Sequence, residues 1–215
     1  NKAFVFESKP FRIYPQKNLF SHVLGQIDDN NFGISGLEKS FDEKLKKEDL
    51  LDYSLNLTVD SNLQYLIREE LINAQESFNN IGSAAVLMKV DDGEILSLIS
   101  LPDYNPNKRV SIKEDFYTNK ITLGVYELGS VFKTFTVAAG LENKKINSKT
   151  KFNNLEHSIT CGKHKISEHD KLKSNLTAEE ILIQSSNIGA VKIAQKVGEK
   201  DYKNFLNSLE IFEKI

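Results

Sequence analysis

Apolar residues recur at helical spacing through Leu63, Leu66, Ile67, Leu71, Ala74 and Phe78, and Ser61 with Gln64 forms a capping-box pair just ahead of them. The pattern predicts an amphipathic helix over residues 62–78 with one buried face. From Ser54 to Val59 polar and apolar positions alternate, which predicts a short strand. Downstream, two apolar runs (84–90 and 94–101) flank Asp91-Asp92-Gly93 and predict a β-hairpin, closed off by Pro102 and Asn105-Pro106-Asn107. A second helix is expected from Ser130 through Val131, Phe132, Phe135, Val137, Ala138, Ala139 and Leu141. It is apolar nearly all round, hence enclosed, with Lys133 as the anomaly. A polar stretch from Asn143 to Asn175 follows. Thr177 and Glu180 then cap a third helix that stops near Gln184, and residues 188–197 read as helical up to Gly198. Tyr202, Phe205, Leu206 and Leu209 carry one more helical stripe. Residues 1 to about 50, with glycines at 25, 33 and 36, Tyr14-Pro15 and a charged stretch from Lys39 to Asp49, predict short strands and loops. A helix, a hairpin and then several helices is an α+β order, not an alternating βαβ one.

Composition narrows the class. The chain has 215 residues, 40% hydrophobic and 27% charged, which excludes disorder as the default and leaves room for one large domain or two small ones. Its single cysteine, Cys161, excludes an intramolecular disulfide. Net charge is -2, and only Arg12, Arg68 and Arg109 provide guanidinium forks, so a nucleic-acid role has little support. No uncharged apolar run approaches the roughly 18 residues of a membrane helix. The chain starts at Asn1 and stops inside a helical pattern at Ile215, so it is expected to be an excerpt of a longer protein.

Ser130 and Lys133 lie one helical turn apart, on one face, at a helix start where free N–H groups favour developing negative charge. That suits a nucleophile and its base. A lysine acts as a base only when neutral, and burial among Val131, Phe132 and Phe135 would lower its pKa in the needed direction. The spacing also arises by accident: about two S-x-x-K matches are expected by chance in such a composition, and a second occurs at Ser148-Lys151 in an exposed, lysine-rich stretch. Ser185-Ser186-Asn187 sits between two helices, where it either caps the second or points a hydroxyl and an amide into a cleft. His157, Cys161, His164 and His169 are close in sequence, but their spacing matches no standard zinc site, and they are read as lying in a polar loop. Neither a metal nor a cofactor is expected.

The run YELGSVFKTFTVAAGLE from Tyr126, SSNIGAVKIA from Ser185 and LPDYNPN from Leu101 together resemble the transpeptidase domain of penicillin-binding proteins. Upstream, RIYP from Arg12, SHVLGQID from Ser21, GISGLEKSFD from Gly33 and LTVDSNLQ from Leu57 resemble the pedestal and domain entry of the class B, monofunctional enzymes. The resemblance implies residues 1–53 as part of a non-catalytic pedestal and residues 54–215 as an incomplete, β-lactamase-like transpeptidase domain. Asn187, where elongation-type enzymes usually carry Asp, and the Glu-Leu-Gly-Ser context of Ser130 resemble the division-specific type. Two departures stand out: Leu128 replaces the usual Pro, and no Lys-Thr-Gly or Lys-Ser-Gly occurs in the chain.

Carried over by resemblance, Ser130 would attack the D-Ala-D-Ala carbonyl of a peptidoglycan stem peptide, with Lys133 as its base. Ser185 would relay a proton to the leaving D-Ala, and Asn187 would hold Lys133 and the substrate amide. β-Lactams would acylate Ser130. The family's second oxyanion donor follows its third motif, so the 215 residues alone are expected to be nearly inactive. Implied partners are stem peptides, β-lactams and membrane-bound division proteins including a glycosyltransferase. The implied location is the periplasmic side of a bacterial inner membrane. An elongation-type enzyme, a β-lactam sensor and a purely structural module are the alternatives.

Overall fold

The computed structural model describes residues 11–46, 54–108 and 114–213. They form two compact units that divide between Val125 and Tyr126. The division expected after residue 53 falls at the segment 47–53, outside the described residues, as do Arg109 and the end of the charged stretch that runs to Asp49.

The first unit begins with short pieces, as its glycines and turn residues predict: a 3₁₀ turn at Lys17–Phe20, then α1 (Ser21–Leu24), α2 (Gly36–Ser40) and α3 (Asp42–Leu45). The segment containing Arg12 and Tyr14 is tied to its unit at two points. The Arg12 guanidinium forks onto the Glu38 carboxylate at 2.9 and 3.0 Å. The Asn107 amide pairs with the Tyr14 backbone in both directions, accepting from its N–H at 2.9 Å and donating to its carbonyl at 2.7 Å.

The long helix α4 spans Ser61–Phe78, close to expectation, but its start and its buried face differ. Asp60 is the N-cap, accepting from the N–H groups of Asn62 and Leu63 at 2.8 and 3.0 Å, and Ser61 is already helical. A carboxylate one position earlier supplies what Ser61 was expected to supply, which frees Gln64 from the capping box. Gln64 is instead the buried residue of the helix, 1% exposed. Its Nε2 donates to the Leu19 and Leu98 carbonyls at 2.9 Å each, and its Oε1 accepts from Ser97 Oγ at 2.9 Å and Leu98 N–H at 3.0 Å. Leu63, Ile67, Leu71 and Ala74 lie half-buried beside it, whereas Leu66 and Phe78 are exposed.

The hairpin forms as β1 (Ser83–Met88) against β2 (Ile95–Leu101), antiparallel, with Ser83 opposite Leu101 and a register shift between Leu87 and Met88. The strand ends at Met88, and Lys89 closes the turn, its N–H donating to the Glu94 carbonyl at 2.9 Å and its carbonyl accepting from Gly93 N–H at 3.1 Å, so the first strand is shorter than its apolar run. The alternation at residues 54–59 does not become a strand. Thr58 Oγ1 donates to the Ile95 carbonyl at 2.7 Å and Asp60 N–H to the Leu96 carbonyl at 2.9 Å, so the segment is pinned beside β2 without a ladder. After α5 (Glu114–Tyr117) the first unit ends.

In the second unit a 3₁₀ turn at Gly129–Phe132 leads into α6 (Lys133–Glu142). The helix expected from Ser130 therefore becomes α-helical only at Lys133, and it is not enclosed on all sides: Thr136, Val137, Ala139 and Gly140 are buried, while Val131 and Leu141 are exposed. The polar stretch is not a plain loop. It contains β3 (Lys151–Phe152), β4 (Ser158–Cys161) and β5 (His164–Ser167), and β6 (Leu176–Thr177) follows it directly, with β3 paired to β6 and β4 to β5. Cys161 faces His164 across the two-residue turn Gly162-Lys163, and the polar character of both short strands hid this hairpin from hydrophobic patterning.

The last helices follow expectation. Before α7 (Ala178–Ile183), Thr177 and Glu180 form the capping box, with Glu180 N–H bonded to Thr177 Oγ1 at 3.2 Å and Thr177 N–H to Glu180 Oε2 at 2.8 Å. Then come α8 (Asn187–Val197) and α9 (Glu199–Ser208). Val137, Ala139, Ile146, Ile181, Ile193 and Val197 form the centre of the core that joins α6, α7 and α8. Thr136 and Tyr202 tie α6 to α9 with a 2.7 Å hydroxyl contact.

Replacing Gln64 by Leu leaves the Leu19 and Leu98 carbonyls and the Leu98 N–H without their partner, so we expect a loss of about 2–4 kcal/mol in urea unfolding. Asp60→Ala, which removes only an exposed cap, should cost about 1 kcal/mol. Equal effects would mean that the amide network carries no special weight.

Candidate functional site

The four residues singled out as Ser130, Lys133, Ser185 and Asn187 come from the 3₁₀ turn, the first residue of α6, the α7–α8 junction and the first residue of α8. Gly129 has φ +55°, a left-handed backbone that lets the chain turn sharply before Ser130. Ser130 is exposed in that turn. Lys133 Nζ donates to Ser130 Oγ at 3.2 Å, to Ser185 Oγ at 2.9 Å and to the Ser185 carbonyl. One amine thus stands between two hydroxyls 52 and 3 residues away in sequence.

Ser185 reaches Lys133 because of how α7 ends. Its φ is +53°, and it sits just past the Gln184 C-cap, the position that glycine usually takes. The N–H of Ser186 bonds back to the Ile181 carbonyl at 2.9 Å and that of Ser185 to the Leu182 carbonyl at 3.1 Å, which is the Schellman pattern. The left-handed turn points the Ser185 carbonyl and hydroxyl at Lys133. The next residue turns inward: Ser186 is fully buried and is the N-cap of α8, its Oγ accepting from Gly189 N–H at 2.8 Å. The capping reading of the Ser-Ser-Asn triplet is realised by Ser186, while Ser185 turns its hydroxyl to Lys133. Gly189 is required by space, since a Cβ there would lie 2.5 Å from Ile181 Cγ1.

Asn187 is placed differently from the expectation. Its Nδ2 donates to the Ser167 carbonyl at 2.7 Å, joining the first turn of α8 to the end of β5. The backbone carbonyl of Ser185, not the Asn187 side chain, is the third partner of Lys133.

Glu168, one residue past β5, was marked by no motif or spacing. Its side chain is nearly buried, with Oε1 accepting from Ser186 Oγ at 2.6 Å and Ile188 N–H at 3.0 Å, and Oε2 accepting from Asn187 N–H at 2.7 Å. No sequence signal could have found it, because its partners lie 18 to 20 residues ahead, across β6 and α7.

Burial pushes the Lys133 amine below the 10.5 of an ordinary lysine, and the nearby Glu168 carboxylate opposes that shift. The direction agrees with expectation, although the amine is held by two serines rather than packed among aromatic rings. Ser148 and Lys151, the other pair with the same spacing, lie where the chain enters β3 and share no helix face. Cys161 is exposed, and among the described residues no group of three or more His, Cys, Asp or Glu side chains is arranged to hold a metal.

Residues 83–214 match the family described as the penicillin binding protein transpeptidase domain. The chain is 31% identical over 205 residues to the probable peptidoglycan D,D-transpeptidase FtsI of Caulobacter vibrioides, across 95% of this chain and 35% of that protein. It is 30% identical to the stage V sporulation protein D of Bacillus subtilis, across 94% of this chain and 35% of that protein. The chain thus spans about a third of the length of these curated relatives. Among solved structures, penicillin binding protein 3 of Mycobacterium tuberculosis superposes with a TM-score of 0.79 at 23% identity, over 92% of this chain and 46% of that one. A peptidoglycan glycosyltransferase from Burkholderia ambifaria superposes with a TM-score of 0.61 at 29% identity, over 71% and 44%.

The left-handed turn at Ser185 separates folding from chemistry. Ser185→Gly should stabilise the protein by about 1 kcal/mol in thermal or urea unfolding, because a Cβ is removed from a strained position, while it deletes one hydroxyl partner of Lys133. A destabilised Gly variant would mean that the Ser185–Lys133 bond outweighs the strain.

Proposed function

Because the chain belongs to the penicillin binding protein transpeptidase family, we propose that it carries the acylating half of a peptidoglycan D,D-transpeptidase site, with Ser130 as nucleophile. The observation that carries this reading is Lys133 Nζ, 3.2 Å from the Ser130 hydroxyl and 2.9 Å from the Ser185 hydroxyl. A lysine in ordinary core, salt-bridged far from both serines, would have favoured a structural module.

In the proposed reaction the neutral Lys133 amine takes the Ser130 proton as Oγ attacks the carbonyl carbon of the penultimate D-Ala of a stem peptide. The tetrahedral oxyanion forms, the peptide C–N bond breaks, and the proton passes through the Ser185 hydroxyl to the leaving D-Ala amine. The product is an ester on Ser130. An amine of a neighbouring stem peptide then attacks that ester, forming the crosslink and returning the proton to Ser130. A β-lactam offers the same carbonyl in a ring. Its leaving nitrogen stays tethered after ring opening, so the ester persists. Asn187 is assigned a positioning part, holding the α8 start against β5.

Relatives named FtsI support a role at the division septum, with a membrane-associated strand-polymerising partner to supply the substrate. We place the site on the periplasmic face of the inner membrane, where peptidoglycan is crosslinked. Among the described residues no helix is long and apolar enough to cross a membrane.

Incubation of the protein as its gene encodes it with a penicillin, read by intact mass and peptide mapping, should place one ring-opened adduct on Ser130 and none on Ser130→Ala. An adduct elsewhere, or equal labelling of the Ala variant, would sink the reading. Lys133→Arg should slow acylation by about 10²–10⁴-fold, since a guanidinium cannot accept the proton. The rate should climb with pH as the Lys133 ammonium loses its proton. Because burial lowers that pKa, the climb should be centred below the 10.5 of a free lysine. A climb centred at or above that value would exclude Lys133 as the base.

A further inference from the structure

The α8 start presents two things at once: the N–H groups that any helix leaves unpaired, and the serine that touches Lys133. The first four N–H groups are all satisfied. Asn187 and Ile188 donate to Glu168 at 2.7 and 3.0 Å, Gly189 donates to Ser186 Oγ at 2.8 Å, and Ala190 donates to the Ser186 carbonyl at 3.2 Å. Glu168 Oε1 also accepts a hydrogen bond from Ser186 Oγ at 2.6 Å, which fixes the rotamer that caps Gly189. One buried carboxylate thus binds three consecutive residues, and the residue just before them is Ser185.

We propose that Glu168 is a positioning residue for the reaction assigned above: by clamping residues 186–188 it holds Ser185 in its left-handed turn with the hydroxyl on Lys133. This inference rests on the proposed acylation of Ser130. Ser185 has no freedom to pivot while Ser186 is anchored on one side and the Schellman bonds to Ile181 and Leu182 close the other. Without the clamp, the half-buried Asn187 N–H and the buried Ile188 N–H lose their acceptor, and the junction must shift to find another.

Glu168 also acts through space. Lys133 faces the neutral hydroxyls of Ser130 from its own turn and Ser185 from the α7–α8 junction, and Glu168 from the end of β5 is the charged group that acts on it. When Lys133 takes the Ser130 proton, the ammonium that forms is stabilised by that carboxylate. Purely structural capping predicts no such coupling to the amine.

The test compares the wild-type protein, as its gene encodes it, with Glu168→Gln and Glu168→Asp, measuring the pH profile of Ser130 acylation by a penicillin together with thermal melting. Glu168→Gln keeps the size of the side chain but removes the charge and turns one acceptor into a donor. Its acylation should fall by about 100-fold at constant penicillin, in keeping with a displaced catalytic group, and the climb of rate with pH should move to lower pH. Glu168→Asp keeps the charge on a shorter arm, so the rate should fall while the climb stays near the wild-type pH. It also carries the test if the Gln variant does not fold. Wild-type rates in the folded variants, or a fall in melting temperature with the Gln variant's profile in its original place, overturn the inference. Absence of a Ser130 adduct on the wild type overturns the functional reading itself, and this inference with it.

Discussion

The site depends on how the α8 N-terminus is satisfied. Buried N–H groups at a helix start need acceptors, and here a carboxylate from the end of β5 and the N-cap serine provide them within one short junction. Because α7 ends in a Schellman turn only two residues earlier, the junction has no slack. Ser186 must point in and Ser185 must point out, and the outward serine meets Lys133.

That arrangement decides the state of the amine. Lys133 loses solvation on α6 and regains some favourable field from Glu168, so its basicity is set by a balance between burial and a carboxylate contributed from β5. The base proposed for Ser130 needs such a balance, since full exposure would keep it protonated and full burial without a counter-charge would leave it too weak.

The first unit solves a similar problem with a neutral group. Gln64 supplies donors and acceptors to Leu19, Ser97 and Leu98 from inside a helix face that the sequence pattern marks as apolar. A capping box read from Ser61 and Gln64 was the wrong use of the right residue, because Asp60 had already met the need at the helix start.

By itself the sequence determined the elements whose cause is local: the α4 repeat, the Asp-Gly hairpin, the Thr177–Glu180 capping box and the spacing that puts Ser130 and Lys133 on one turn. Each is set by residues a few positions apart, where periodicity and hydrogen-bond chemistry suffice. Tertiary structure alone decided the rest. The β4–β5 hairpin lacked an apolar signature, the outward turn of Ser185 depended on where α7 stopped, and Glu168 gained its partners only when the end of β5 was laid against α8. Those outcomes follow from buried polar groups that must find partners across the fold, and sequence distance carries no record of which partner lies within reach.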